Sequence, residues 1–430
     1  MALVQRTAFT RWRTELFESW SLALDSVRTQ PTRSTLAIIG IVIGIVTVVI
    51  VASVLAGLRN SVADLFRDLG TDNVFAFHLT GDPYSPPSER EARRQPLEPV
   101  FARELARRGD AIRDVALQVI VPSVVNGRAL TVRVGSAESD TVLVEGASSN
   151  FFDIVGGEFA AGRPFTELED RAGARVAVIG ANLAKALFGG SGRGRSIGQQ
   201  VLLGGESYYV VGELVPRRGG FFGENRQDNV MSLPVGTVRR RFSEAKNTVL
   251  YVRSEPGRLE ETKVETEAIL RQLRGLAPGE PNDFNLSTSE QIIATFDRVS
   301  LAIGLATIAL AGVSLFIGGI GIANVMIISV TERTREVGVR IAIGAKRHEV
   351  LRQFLLEAML LSGIGGVVGL AIALGISQTI RWLAPGFSSG APLWVIIAGI
   401  VSALGTGVVA GYWPARRAAG LDPVEALRYE

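Results

Sequence analysis

TERTREVGVRIAIGAKRHEVLRQFLLEA, Thr331 to Ala358, is the stretch around which this chain is organised. Two long apolar runs flank it, Leu301 to Val330 before and Met359 to Ile380 after. Neither run contains Asp, Glu, Lys or Arg. Each exceeds the roughly 20 residues a helix needs to cross a bilayer. The stretch between them carries Arg333, Arg335, Arg340, Lys346, Arg347 and Arg352. Short loops rich in Lys and Arg stay on the cytoplasmic side, so the stretch reads as a cytoplasmic hairpin between two membrane helices. Its middle, Val337 to Ala345, is small and apolar between charges. That suits a short helix lying on the membrane or pressed into a partner's groove better than a solvated loop.

Composition agrees with a membrane protein. The chain has 430 residues, 47% of them hydrophobic, and a net charge of +3. Its mean hydropathy is +0.27. A single soluble domain of this length is seldom so apolar. The small basic excess clusters beside membrane segments and reads as a topology signal, not as nucleic-acid binding. There are no cysteines, which removes disulfides, thiolate nucleophiles and Cys-based metal sites. The two histidines, His78 and His348, fall on opposite sides of the inferred membrane. Neither a His-based metal site nor a Ser-His-Asp triad is expected.

Outward from the hairpin, the chain orders itself. Residues 1–31 hold an amphipathic helix, Glu15 to Val27, with Trp12, Trp20 and arginines suited to a cytoplasmic interface. The charged prelude is too long for a signal peptide. Residues 32–70 hold the first span, Leu36 to Leu58, and a helical extension. Residues 71–286 form a polar α+β domain, opened by a Pro- and Ser-rich loop, Gly81 to Pro99. Its expected strands are 116–121, 129–134, 141–145, 175–179, 200–203, 208–213, 229–233 and 248–252. Its expected helices are 182–188 and 257–276. The inside hairpin places this domain outside.

Residues 287–330 begin with a capping-box pattern, Ser287-Thr288-Ser289-Glu290, and continue as one helix. At 1.5 Å per residue it runs roughly 65 Å, about twice the apolar core of a bilayer, so half of it is expected to form a stalk outside. The hairpin itself is assigned 331–356, the third and fourth spans 357–413, and a cytoplasmic tail 414–430. That tail opens with Asp422-Pro423-Val424-Glu425, a further capping pattern. Small-xxx-small pairs that permit close helix approach occur at Gly40 and Gly44, Gly365 and Gly369, and Gly407 and Gly411. The fold class is therefore an α-helical membrane protein with four transmembrane helices. An α+β extracytoplasmic domain lies between spans one and two, with a helical stalk.

Two chemistries are set aside. Gly189 to Ser196 nearly matches a phosphate loop, with Arg195 where lysine belongs, but a helix precedes it and a strand-like run follows, the reverse of what phosphate binding at a helix N-terminus needs. The apolar runs of the spans hold no Asp, Glu, Lys, Arg or His, so ion-driven transport lacks its usual groups. Any work the protein does must then draw energy from another chain, and the hairpin is the natural entry point.

The hairpin, the glycine-rich span after it and the tail WPARRAAGLDPVEALRYE resemble the MacB/FtsX-type permeases of ABC transporters. Gly157-Glu-Phe-Ala-Ala-Gly-Arg-Pro-Phe165, Val176-Ala-Val-Ile-Gly180 and Tyr209-Val-Val-Gly212 are similar to the MacB periplasmic core domain. So is Arg33 to Gly44. The resemblance implies a non-catalytic subunit in the bacterial inner membrane that binds no cofactor itself. ATP and Mg would sit on a separate cytoplasmic ATPase. A second permease copy, a membrane-fusion protein and an outer-membrane channel are further implied partners. Motion driven from inside would move the stalk and outer domain (mechanotransmission) to export a drug, peptide or lipid-linked cargo. Relatives that regulate a cell-wall hydrolase or release lipoproteins give the alternatives. By the same resemblance Glu332, Arg333, Arg335, Glu336, Gly338, Arg340, Gly344 and Ala345 form the ATPase-coupling region, glycines packing closely and charges pairing with the ATPase. The plainer alternative is a topogenic basic loop with a membrane-hugging helix.

Overall fold

The computed structural model describes residues 31–68, 72–79, 89, 91–125, 127–189, 194–217, 228–383 and 390–428. The amphipathic helix expected at Glu15 to Val27 and residues 81–88 and 90 of the loop expected from Gly81 lie outside these. Two compact units result. One comprises residues 1–58 and 298–430, the other residues 59–297.

In the first unit, four helices are long and apolar enough to cross a membrane. They are α1 (Pro31–Asp68) and, after the domain described below, Ser289–Glu332, Arg347–Leu383 and Leu393–Ala419. Glycines make several of their closest contacts. A Cβ on Gly40 would stand 2.9 Å from the Cα and N of Gly318. On Gly44 it would meet Leu315 at 3.1 Å, on Gly365 Ile41 at 3.2 Å, and on Gly369 Val42 at 3.2 Å. Gly407 faces Ser362 and Gly411 faces Ala358, where a Cβ would come within 2.2 and 2.4 Å. So the first span packs on the second and third, and the third on the fourth. Ala37, Ile41, Ile45 and Val49, on one face of the first span, are buried in this core.

The second unit is α+β. Its strands are β1 Asn73–Phe77, β2 Ile112–Ile120, β3 Val124–Val125, β4 Arg128–Ala129, β5 Val132–Val134, β6 Ala137–Ser139 and β7 Leu143–Ala147. Then come β8 Phe159–Gly162, β9 Val176–Ile179, β10 Gln200–Leu203, β11 Glu206–Leu214, β12 Val230–Pro234, β13 Asn247–Ser254 and β14 Asn285–Thr288. Twelve of them join one mixed sheet, ordered β14-β1-β13-β2-β7-β12-β9-β11-β10-β5-β6, with β8 on β11. Among the described residues, only β7–β12 and β9–β11 run parallel. The helices of this unit are α2 Val100–Arg108, α3 Phe151–Ile154, α4 Glu167–Ala172, α5 Ala181–Phe188, α6 Val235–Arg241 and α7 Leu259–Leu273. The remaining helices are α8 Ser289–Glu332, α9 Thr334–Ala342, α10 Arg347–Leu383, α11 Leu393–Ala419 and α12 Pro423–Arg428.

All eight expected strand regions carry strand, the one at 129–134 split between β4 and β5. The strands β1, β3, β6, β8 and β14 and the helices α2, α3, α4 and α6 were not anticipated. Their apolar patterns are too short to stand out against the loops beside them. Across β13, β2, β7 and β12 runs a buried polar row that periodicity would not place. The Tyr251 hydroxyl donates to Gln118 Oε1 at 2.8 Å, the Gln118 amide donates to Glu145, and Ser232 Oγ donates to Glu145 Oε1 at 2.6 Å.

Three boundaries shift. The capping of α8 falls on Thr288, the last residue of β14, whose Oγ1 accepts the Gln291 N–H at 3.3 Å, because the helix starts only at Ser289. The third span's helix begins at Arg347, well before Met359. The fourth continues through Pro414 to Ala419.

The described end of the glycine stretch after α5, from Gly194, is a turn. Among its described residues, Gly194 N–H and Ser196 Oγ both donate to Glu213 Oε2, at 3.3 and 2.6 Å. Its next regular element is the strand β10, not a helix.

Candidate functional site

The hairpin folds as helix, turn, helix. α8 ends at Glu332 and α9 starts at Thr334, with Arg333 between them at φ −104°, ψ 12°. α9 is amphipathic. Thr334, Val337 and Gly338 are buried, and Ile341 packs against the same core. Those positions follow i, i+3, i+4, i+7, the spacing of one helix face.

The turn after α9 is a Schellman motif. Gly344 N–H donates to Ile341 O and Ala345 N–H to Arg340 O, both at 3.0 Å. Gly344 has φ +109°, and a Cβ there would meet nothing within 4 Å. Gly344 is therefore present for its backbone conformation. Lys346 N–H then donates to Glu349 Oε2 at 3.0 Å, closing the first turn of α10.

Gly338 works differently. A Cβ there would come within 2.5 Å of the Ala426 Cβ, so its close approach is to the chain's own tail helix α12. That helix is started by Asp422, whose Oδ1 accepts the Val424 N–H at 2.9 Å.

Three of the expected coupling charges, Arg333, Glu336 and Arg340, are paired within the chain. Arg333 Nη1 lies 3.5 Å from Glu357 Oε2, and the Glu357 side chain is 1% exposed. Arg340 pairs with Glu336 and donates from Nη1 to Gln353 Oε1 at 2.9 Å. Glu332, Arg335, Glu336 and Arg340 remain exposed, as do Gly344 and Ile343, the last at 82%. Ala345 is half-buried. The result is a charged face with one large apolar side chain at its tip.

Beside α9 is a groove of about 150 Å³, lined by Val330, Thr334, Pro414, Arg417, Leu421 and Glu425 among others.

Sequence reasoning missed Glu357, Gln353 and Ala426. Glu357 did carry a signal, an acid at the foot of one apolar run opposite an arginine at the foot of the other. Gln353 and Ala426 carried none.

Two family models match, together spanning most of the chain. Residues 34–269 match the MacB-like periplasmic core domain, and residues 308–423 match the FtsX-like permease C-terminal region. The chain belongs to the MacB/FtsX-type permease family. Among similar curated proteins is the macrolide export ATP-binding/permease protein MacB of Wolinella succinogenes. It is 31% identical over 97% of this chain and 61% of its own length. The pyoverdine export ATP-binding/permease protein PvdT of Pseudomonas putida is 33% identical over 97% of this chain and 61% of its own length. The chain thus spans about three fifths of these relatives. The crystal structure of the periplasmic region of MacB from Actinobacillus actinomycetemcomitans is similar at 19% identity and a TM-score of 0.42. The match covers 54% of this chain and 95% of that one. As a MacB/FtsX-type permease the chain is a multi-pass inner-membrane protein, with its α+β domain on the extracytoplasmic side.

Proposed function

We propose that this permease couples ATP hydrolysis by a separate cytoplasmic ATPase subunit to movement of its extracytoplasmic domain, and that this movement drives export. The observation that carries the reading is the hairpin: a short helix fixed to the ends of two spans, presenting Arg335, Arg340 and the exposed tip Ile343. A loop serving topology alone needs only its charges, not an apolar tip on a capped, fastened helix. ATP and Mg²⁺ bind on the ATPase. Two permease copies serve two ATPases, with a membrane-fusion protein and an outer-membrane channel continuing the route outward. The names of the relatives above support export over hydrolase regulation, and their cargoes, a macrolide and pyoverdine, make a drug or peptide-like cargo the reading to test.

The test is the double variant Arg335→Glu/Ile343→Asp in cells that carry the ATPase. Both side chains are exposed, so folding and insertion should persist. ATPase co-purification and macrolide efflux should both fall sharply. Full retention of both would reduce the hairpin to a topology signal.

A further inference from the structure

We infer that Arg333 and Glu357 form the pivot that fixes the coupling helix to the membrane helices. It is a positioning pair without which movement of α9 is lost as bending. The inference rests on the coupling reading above and names the joint through which that coupling passes.

The geometry isolates one weak point. α8 is a single helix of 44 residues, and α9 follows after one residue, Arg333, whose backbone leaves the helix. A one-residue joint between two helices can swing. Here the same residue is tied across to the third span. Its guanidinium lies 3.5 Å from Glu357 Oε2, with the carboxylate shielded from solvent. One turn earlier on α10, Gln353 accepts the hydrogen bond from Arg340, in the last turn of α9. Both ends of α9 are therefore fastened to one face of α10. Gly338 against Ala426 fastens its middle to the tail.

A buried ion pair is a poor device for stability, since desolvation offsets most of its attraction and apolar replacements often serve as well. It is a good device for a fixed geometry, because a carboxylate as buried as that of Glu357 strongly favours a cation held beside it. A push on α9 then moves the foot of α8 and the foot of α10 together.

The experiment measures the joint directly in the full chain in nanodiscs. Spin labels go on Ile343→Cys at the tip and Trp382→Cys near the far end of α10, both exposed. The spread of label-to-label distances is read by pulsed dipolar spectroscopy. It should be narrow with the native pair, broad in Glu357→Gln and in Arg333→Gln, and narrow again in the exchange Arg333→Glu/Glu357→Arg. Arg333 is partly exposed, so its variant keeps the test decisive if Glu357→Gln inserts poorly. Equal spread in all variants would overturn the pivot. In the complex with the co-purifying ATPase, the single variants should keep hydrolysis while macrolide efflux per ATP drops about tenfold or more. Reduced yield with unchanged efflux per ATP would mean a merely structural pair, and would overturn the inference. Failure of the coupling reading shows elsewhere, as unchanged ATPase binding in Arg335→Glu/Ile343→Asp.

Discussion

Arg59 and Asp297 hold each other with two prongs, Nε to Oδ1 at 2.7 Å and Nη2 to Oδ2 at 3.1 Å. Arg59 lies on α1 and Asp297 on α8. They are also the first and last residues of the extracytoplasmic unit. The two stalk helices are thus clamped where the chain enters and leaves that unit. Both side chains are substantially exposed, so the clamp should matter for joint movement of the helices and little for folding. Asp297→Arg is expected to leave thermal unfolding nearly unchanged and to reduce efflux. The exchange Arg59→Asp/Asp297→Arg should restore efflux. An exchange variant as impaired as the single one would show that the clamp has no such role.

The contact of Gly40 with Gly318 sets how closely the first two spans approach. Gly40→Leu should destabilise the membrane unit by about 1–3 kcal/mol, the usual cost of overpacking. Gly312→Leu is the control, because a Cβ on Gly312 meets nothing within 4 Å. Thermal unfolding in detergent should separate the two. Equal midpoints would contradict the packing described.

The two hairpin glycines should fail differently. Gly338→Leu drives a side chain into Ala426 and should displace the tail helix α12, seen as protease sensitivity after Ala419. Gly344→Ala strains a residue at φ +109° by about 1–2 kcal/mol and meets no neighbour. It should keep the tail protected. Gly344→Trp adds bulk on the exposed side and should reduce ATPase co-purification.

His78 gives a pH dependence. Burial, then repulsion from Arg274 and Arg94, lowers its pKa from 6.5 to about 4. Its Nδ1 has no hydrogen-bond partner among the described residues. The folded state therefore favours the neutral ring, while the unfolded chain takes up a proton below pH 6.5. Stability should fall as pH drops from about 6.5 to about 4, by up to about 3 kcal/mol, and this contribution should not change further below that. His78→Leu should flatten that part of a denaturation-versus-pH curve. An unchanged slope would remove His78 as its source.

Sidedness is checked by impermeant thiol labelling of the otherwise cysteine-free chain. Val264→Cys, exposed on the extracytoplasmic domain, should label from outside, and the exposed His348→Cys only after the membrane is opened. Ser329 and Thr334 are buried and would resist reagent from either side.

The sequence by itself determined what local physics determines. Apolar runs longer than a bilayer are spans wherever they pack, and arginines beside them set which end stays inside. Short β-like runs marked eight strand regions of the outer domain. Asp422 before Pro423 announced the cap of α12, because a cap bonds within its own turn. The tertiary structure alone decided what depends on partners distant in the chain. Gly40 was recognisable as a packing glycine, but that it meets Gly318 follows from the crossing of two helices. Gly338 and Gly344 look alike in sequence; one is set by Ala426, the other by a backbone angle. Arg333 read as a charge for another protein until Glu357 stood beside it. Periodicity specifies which face of an element is buried. It does not specify what that face is buried against, because that contact is made only when elements far apart in sequence come together.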